Sequence, residues 1–401
     1  MQMQDIKQKK AKVSSPSREV WRTQMAKGIY TPHRVSRITC VINHLLKDKI
    51  SDFLRDLGVI AYIEHGRSVR EFLKPQPFGL PGNVVKLQNS PVDIFRFTVP
   101  RETSRQVVEK IVQIAELYIP GRGTVFSQDL MEFSKEPFSI NPDALSPGEN
   151  EGDVPGIVKK LSYVICVLSV PGSGENLARI ALDLGICVPL ITYATGNDIR
   201  DQLGLIRITI SPEKEIVHLV MPEQDSESII RLLIEQARLD RPGRGYIYQT
   251  PVSMGLIDTR LKTGRQRYAA SMEQIIAAID SLKESTSWRK RLDAGDSGQT
   301  PSSSLLPQDN CEVSVISDED RIDKLREACL EVGATGATTS NVTPEVTSEE
   351  VSSAMIRSAI SVPAALTNKV VDALLEVSTI KEDNTDRIHV LDSPAAYAHD
   401  V

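Results

Sequence analysis

The chain has 401 residues, a formal net charge of −6 and 40% hydrophobic residues, enough for roughly two to four domains, each with a core of its own. The mild acidity argues against a nucleic-acid binder, and no run reaches the roughly 20 apolar residues of a membrane span. The five cysteines, at 40, 166, 187, 311 and 329, show neither CxxC nor zinc spacing; they read as reduced core thiols, and with no secretory leader pattern the expected location is the cytoplasm.

Residues 1–34 are basic and polar, a flexible arm by composition. A first unit, 35–133, follows. Residues 37–43 alternate as a strand, and Ile50, Phe53, Leu54 and Leu57 recur at helical spacing, closed by Gly58. Residues 59–64 form a second strand, and a Gly-, Pro- and Arg-rich stretch, 66–89, reads as a loop. Residues 92–100 alternate again, and 102–117 place Val107, Val108, Ile111 and Ala115 on one helix face. The turn YIPGRG, 118–123, leads into a last strand at 124–126. Residues 134–158, rich in Pro, Gly and acids, form an extended or disordered linker.

The second unit, 159–284, repeats the order. YVICVLSV is a strand, Leu177, Ile180, Ala181 and Leu184 line a helix, Gly185 stops it, and VPLITYA is the next strand. A loop at 195–204 leads to a hairpin around 211–213, then to a helix over 226–237. RPGRG, 241–245, opens YIYQTPV, and an amphipathic helix is expected over 268–283. After a Ser- and Gly-rich linker, 285–309, the third unit, 310–401, is weaker. CEVSVIS is its strand, Ile322, Leu325, Cys329 and Val332 its helix face, and 338–352 a Ser/Thr-rich loop. SAISVP, VVDALLEV and RIHVLDSP close it, with a glycine-free turn at 383–387.

Each unit thus reads as β-α-β, loop, β-α-β: an α+β protein of tandem ferredoxin-like (split βαβ) units. The glycine-arginine-glycine turn recurs 122 residues apart at equivalent places. Glycine-flanked turns expose backbone N–H groups, and an arginine between them can fork onto a phosphate or carboxylate. Gly121, Arg122 and Gly123, and Arg241, Gly243, Arg244 and Gly245, are therefore candidate anion or phosphate ligands. Competing motifs fail. SVPGSG, 169–174, has Leu177 where a dinucleotide fold needs its third glycine, and GxxxxGK[ST] is absent. The histidines are scattered, with His65 beside Gly66 the one worth testing, and neither a metal site nor a catalytic set is legible.

The order of elements, with "DLGV", "VDIFRFTVPRETSRQVVEKIV" and "IYQTPV" at their places, resembles the PII family of nitrogen-regulatory signal proteins. The resemblance covers three units, the third degenerate. PII proteins are trimers with adenine nucleotides between subunits and a T-loop that docks on transporters or enzymes. For this chain it implies an intramolecular pseudo-trimer, with phosphate-binding turns at the seven residues above. It also implies partner-docking positions at Gly66, Arg67, Arg70, Asp198 and Arg200. The chain departs from the family in carrying arginine, not an acid, between the glycines, and Thr124 and Tyr246 where the family has lysine. The expected function is a non-enzymatic regulator of a transporter or metabolic enzyme in nitrogen or inorganic-carbon metabolism, with an adenine nucleotide or bicarbonate as effector. No nucleic-acid partner is expected, and membrane contact only through a partner. The alternative is an adaptor with non-functional ligand sites that acts through its loops and tails.

Overall fold

Strand alternation sets the plan. In β1 (His33–Asn43), Ile38, Cys40 and Ile42 share one buried cluster with Ile50, Phe53, Leu54 and Leu57 of α1 (Lys47–Leu57). Val107, Val108, Ile111 and Val112 of α2 (Ser104–Ile114) join the same cluster. Both helices therefore cover one face of the sheet, where the period-2 and period-3.6 stripes meet. Gly58 ends α1 with φ 75°, a left-handed cap that only a residue without Cβ takes freely. In this computed structural model the described residues are 32–75, 83–134, 139–146, 156–198, 213–264, 309–334, 336–345, 354–380 and 386–398.

β2 (Ala61–Pro75), β3 (Asn83–Pro100) and β4 (Gly123–Phe133) complete an antiparallel sheet in the order β4-β1-β3-β2. The second unit has β5 (Val158–Leu168), α3 (Ser173–Asp183), β6 (Leu190–Asp198), β7 (Glu213–Pro222), α4 (Glu223–Ala237) and β8 (Gly245–Leu256). Its order is β8-β5-β7-β6, again antiparallel, and β9 (Lys262–Gly264) follows. The third has β10 (Asn310–Asp318), α5 (Glu319–Glu331), β11 (Gly336–Glu345), β12 (Met355–Pro363), α6 (Ala364–Val377) and β13 (Arg387–Ser393). Its order is β13-β10-β12-β11, and β14 (Ala395–Ala398) ends it.

Each unit pairs with both others. Among the inner strands, β2 pairs with β6, β6 with β11 and β11 with β2. Among the last strands, β8 pairs with β4, β14 with β8 and β13 with β4. The seams share a register: Leu256 stands opposite Val125 and Tyr397 opposite Ile247, and Val125 and Ile247 each lie two residues past a turn glycine. Side chains cross the seams in the same sense. Leu256 of the second unit lies in the first unit's core, Ala395 of the third in the second's, and Met131 and Phe133 of the first in the third's.

Three expected loops are corrected. Residues 66–75 and 83–89 are not loop: β2 runs on to Pro75 and β3 starts at Asn83, paired from Gly66–Val92 out to Pro75–Asn83, while 76–82 lie outside the described residues. Residues 195–198 belong to β6, and of the Ser/Thr-rich stretch at 338–352 residues 338–345 lie in β11, a strand with partners on both edges, while 346–352 lie outside the described residues. Residues 66–75 pair with 83–92 inside the first unit, whereas 195–198 and 336–345 also take partners from another unit, which a local reading does not see. The linker at 134–158 is also partly ordered. Ile140, Ala144 and Leu145 pack on the first core, and Asn141 donates its N–H to Leu57 O at 2.9 Å. The expected helix at 268–283, the arm up to residue 31 and the linker at 285–308 lie outside the described residues. All five cysteines are buried thiols. Among the described residues, no helix is long and apolar enough to cross a membrane, and no group of three or more His, Cys, Asp and Glu is set to hold a metal.

Candidate functional site

Both turns are built by one backbone ladder. After α2, Glu116 takes a positive φ of 50°, Ile119 N–H bonds Glu116 O, Arg122 N–H bonds Ile119 O, and Asn43 N–H bonds Arg122 O. After α4, Arg238 takes φ 55°, Arg241 N–H bonds Arg238 O, Arg244 N–H bonds Arg241 O, and Ser169 N–H bonds Arg244 O. The second glycine of each turn then starts a strand tight against its neighbour. A Cβ on Gly123 would lie 2.0 Å from Val41 O, and one on Gly245 1.9 Å from Val167 O, with φ at 152° and 127°. The recurrence of the glycines thus has a backbone cause that needs no ligand. The arginines differ. Arg122 folds back on its own helix end, pairing with Glu116 at 2.5 Å and donating to Ala115 O at 3.3 Å. Arg244 is half-buried and Arg241 exposed, and neither side chain makes a hydrogen bond or ion pair among the described residues.

The first turn faces the second unit across a cleft with Ser68, Arg70 and Asp258 on its walls. Asp258, 4% exposed, lies at its centre. It accepts from Gly121 N–H at 3.2 Å, from Arg260 N–H at 3.0 Å and from Arg70 Nη2 at 2.5 Å. Its own N–H donates to Thr124 Oγ1 at 2.9 Å. Two amides and a guanidinium converging on one point make an anion site, and here a protein carboxylate occupies it.

The expected docking residues do not form a loop surface. Gly66 lies where β2 meets the second unit, so that a Cβ would sit 3.0 Å from Ile191 O. Arg67 reaches Glu175 of the second unit at 3.5 Å. Arg70 is buried on Asp258, which places it in the cleft beside the first turn and not on a docking surface. Asp198 ends β6 opposite Gly336, and Arg200 lies outside the described residues. His65 is one of two exposed histidines held by the buried Asp93, which accepts from His65 Nδ1 at 2.8 Å and from His44 Nδ1 at 2.7 Å.

Sequence reasoning missed a buried polar hub where the helix-free faces of the sheets meet. Arg37 donates to Glu312 Oε1 at 2.9 Å and to Gln128 Oε1, Arg357 donates to the same Glu312 oxygen at 3.0 Å, and Tyr248 donates to its other oxygen at 3.0 Å. Burial alone would raise the Glu312 carboxyl, but Arg37 and Arg357 outweigh it and hold it at about 2. Arg96 pairs with Glu64, which its guanidinium keeps below the usual carboxylate range against the opposing pull of burial. Tyr163 lines the same space as Arg96, and its hydroxyl lies 2.7 Å from His218 Nδ1. Burial drives His218 down to about 3, so the ring is neutral. Its two nitrogens then act as one donor and one acceptor, Nδ1 toward the Tyr163 hydroxyl and Nε2 toward Thr192 Oγ1 at 2.8 Å. The available signal was Arg37 and Arg96 at the non-core places of strands 37–43 and 92–100, on the face a two-layer reading assigns to solvent.

No family model and no curated protein matches the chain. Among solved structures it is matched to a crystal structure of aspartate kinase from Synechocystis, at 9% identity and a TM-score of 0.20, over 90% of this chain and 44% of that one. The chain spans less than half the length of that kinase, and a likeness this distant bears on neither fold nor site.

Proposed function

We propose that the chain is a PII-like signal-transduction regulator, three ferredoxin-like units fused into an intramolecular pseudo-trimer. It binds an adenine nucleotide or bicarbonate in the clefts beside the glycine-bracketed turns and passes that state to a target transporter or enzyme of nitrogen or inorganic-carbon metabolism. The observation that carries this reading is the convergence of Gly121 N–H, Arg260 N–H and Arg70 on a single carboxylate at a seam between units. An incoming anion would compete with Asp258. Its segment continues into β9, which lies along β2 with Leu261 O accepting from Glu71 N–H and Lys262 paired with Glu71. Displacing Asp258 would loosen β9 and with it the β2–β3 hairpin, shifting the population that a target meets.

The adaptor reading has one observation in its favour: in the first cleft, Asp258 and Glu116 already satisfy the groups that would seek an anion. Calorimetry on the whole chain with ATP, ADP, AMP and bicarbonate separates the two. The regulator binds at least one of them below millimolar Kd, Arg244→Ala weakens binding roughly tenfold or more, and Asp258→Asn tightens it by emptying the first cleft of its charge. Absence of binding, with target capture unchanged in Arg122→Ala and Arg244→Ala, leaves the adaptor.

A further inference from the structure

The β2–β3 hairpin is covered along one edge and bare along the other. On the covered side, Glu71 N–H donates to Leu261 O at 2.9 Å and Val69 N–H to Pro189 O at 3.0 Å, and β9 lies along β2. These donors fix the phase of the ladder, because the N–H and C=O of one strand residue point to the same side. Val69 and Glu71 turn away from β3, so their opposites, Asn89 and Leu87, turn away from β2. Val85, opposite Leu73, continues the series. From Val92 onward the outer edge of β3 is taken by β1. Before that point, among the described residues, the N–H and C=O groups of Val85, Leu87 and Asn89 meet no partner.

Proteins guard such edges with charges, prolines or bulges. Asn83–Ser90 has no proline and a single charge, Lys86, and its register to β2 runs without a bulge. The strand is also preformed: Val69 and Arg70 are buried at the hairpin root, and Lys262 pairs with Glu71 at 3.1 Å. The bare edge matches itself. In an antiparallel pair about a two-fold axis at Leu87, Val85 of each copy faces Asn89 of the other and Leu87 faces Leu87, so every outward N–H and C=O finds a partner. The same register sets Lys86 opposite the Gln88 amide. An axis at Lys86 would set like charges face to face, which is unfavourable. An axis at Gln88 would set Val85 against Pro91, which has no N–H to give.

We infer that this edge of β3 is an interface for a second copy of the chain, the two hairpins joining their sheets about Leu87. Light scattering and residue-resolved hydrogen exchange on the full chain, over a series of concentrations, test it. The expected result is a shift from one chain to two as concentration rises. Exchange slows with it at Val85, Leu87 and Asn89, while Lys86 and Gln88, already turned toward β2, exchange as before. Asn89→Pro removes an outward donor and no bond to β2, and weakens association about tenfold or more. Gln88→Lys brings a like charge opposite Lys86 and weakens it about fivefold, and adding Lys86→Glu restores it. A single chain at every concentration overturns the inference: fast exchange at the three residues then means a bare edge, and slow exchange means that another part of the same chain covers it. Association at wild-type strength in both Asn89→Pro and Gln88→Lys places the contact elsewhere and overturns it as well.

Discussion

Gly245 and Gly58 are both glycines at positive φ, yet their surroundings differ. A Cβ on Gly58 would meet nothing within 4 Å, whereas one on Gly245 would lie 1.9 Å from Val167 O. Gly58→Ala therefore costs only the left-handed penalty, about 1–2 kcal/mol. Gly245→Ala adds a backbone collision to that strain and should cost about 3 kcal/mol or more. Urea midpoints at constant slope measure both, and equal losses would remove the packing account of the repeated turn. Glu312 gives a pH signature at the same scale. Its carboxyl is held at about 2 in the fold, by Arg37 and Arg357 against burial, and at 4.5 otherwise. A depressed carboxyl contributes stability that is full above the unfolded value and is lost as pH falls through the folded one. That contribution is about 3 kcal/mol at most. Glu312→Gln should be less stable than wild type by about 3 kcal/mol near neutral pH, because two buried arginines lose their charge partner. The gap should close between pH 4.5 and about 2; a gap constant across that window in acid titrations of the two proteins would contradict it.

Among the elements, β11 carries the most with the least sequence signal. Thr338 stands opposite Ala359 of β12 on one edge and Gly196 of β6 on the other, and its Oγ1 meets Tyr246 OH at 2.6 Å. Thr338→Pro removes an N–H that faces a paired neighbour on either side, at a cost of about 2 kcal/mol or more. Thr338→Val removes only the hydroxyl contact, about 1 kcal/mol. Hydrogen exchange should quicken in both β6 and β12 for the proline variant, and unchanged protection in β6 would mean that this seam is not held by the ladder. The contrast with α1 shows what could be read in advance. Ile50, Phe53, Leu54 and Leu57 bury against their own unit, so their spacing was sufficient evidence. GATTSNVTPE has no apolar alternation, and beside β12 its partners are strands over a hundred residues away. The hub escaped for a related reason. Arg37 and Arg96 occupy the outward places of amphipathic strands, and a period-2 pattern cannot say that a second unit covers that face. At the turns, the glycines were legible but their cause was not, since the close approach of Val41 O and Val167 O is a property of the assembled sheet.

At the scale of the molecule, each unit closes its core with the next unit's last strand. The donation runs in a ring: Leu256 into the first core, Ala395 into the second, Met131 and Phe133 into the third. The inner strands β2, β6 and β11 form a second ring of pairings. A ring has no weakest open end, so the three cores should melt in one calorimetric transition rather than in three steps. Removing one member converts every closed seam it served into an edge. A chain cut after residue 308 leaves β2 and β6 without β11, β4 without β13 and β8 without β14. It also leaves Arg37 without Glu312, its charge partner in the hub. Unpaired edges of this length recruit other chains. The truncated protein should therefore associate or precipitate near neutral pH at concentrations where the full chain is unchanged, as read by light scattering. If the truncated chain instead associates no further than the full chain, with an unaltered melting curve, the third unit is an appendage and the ring does not hold the fold together.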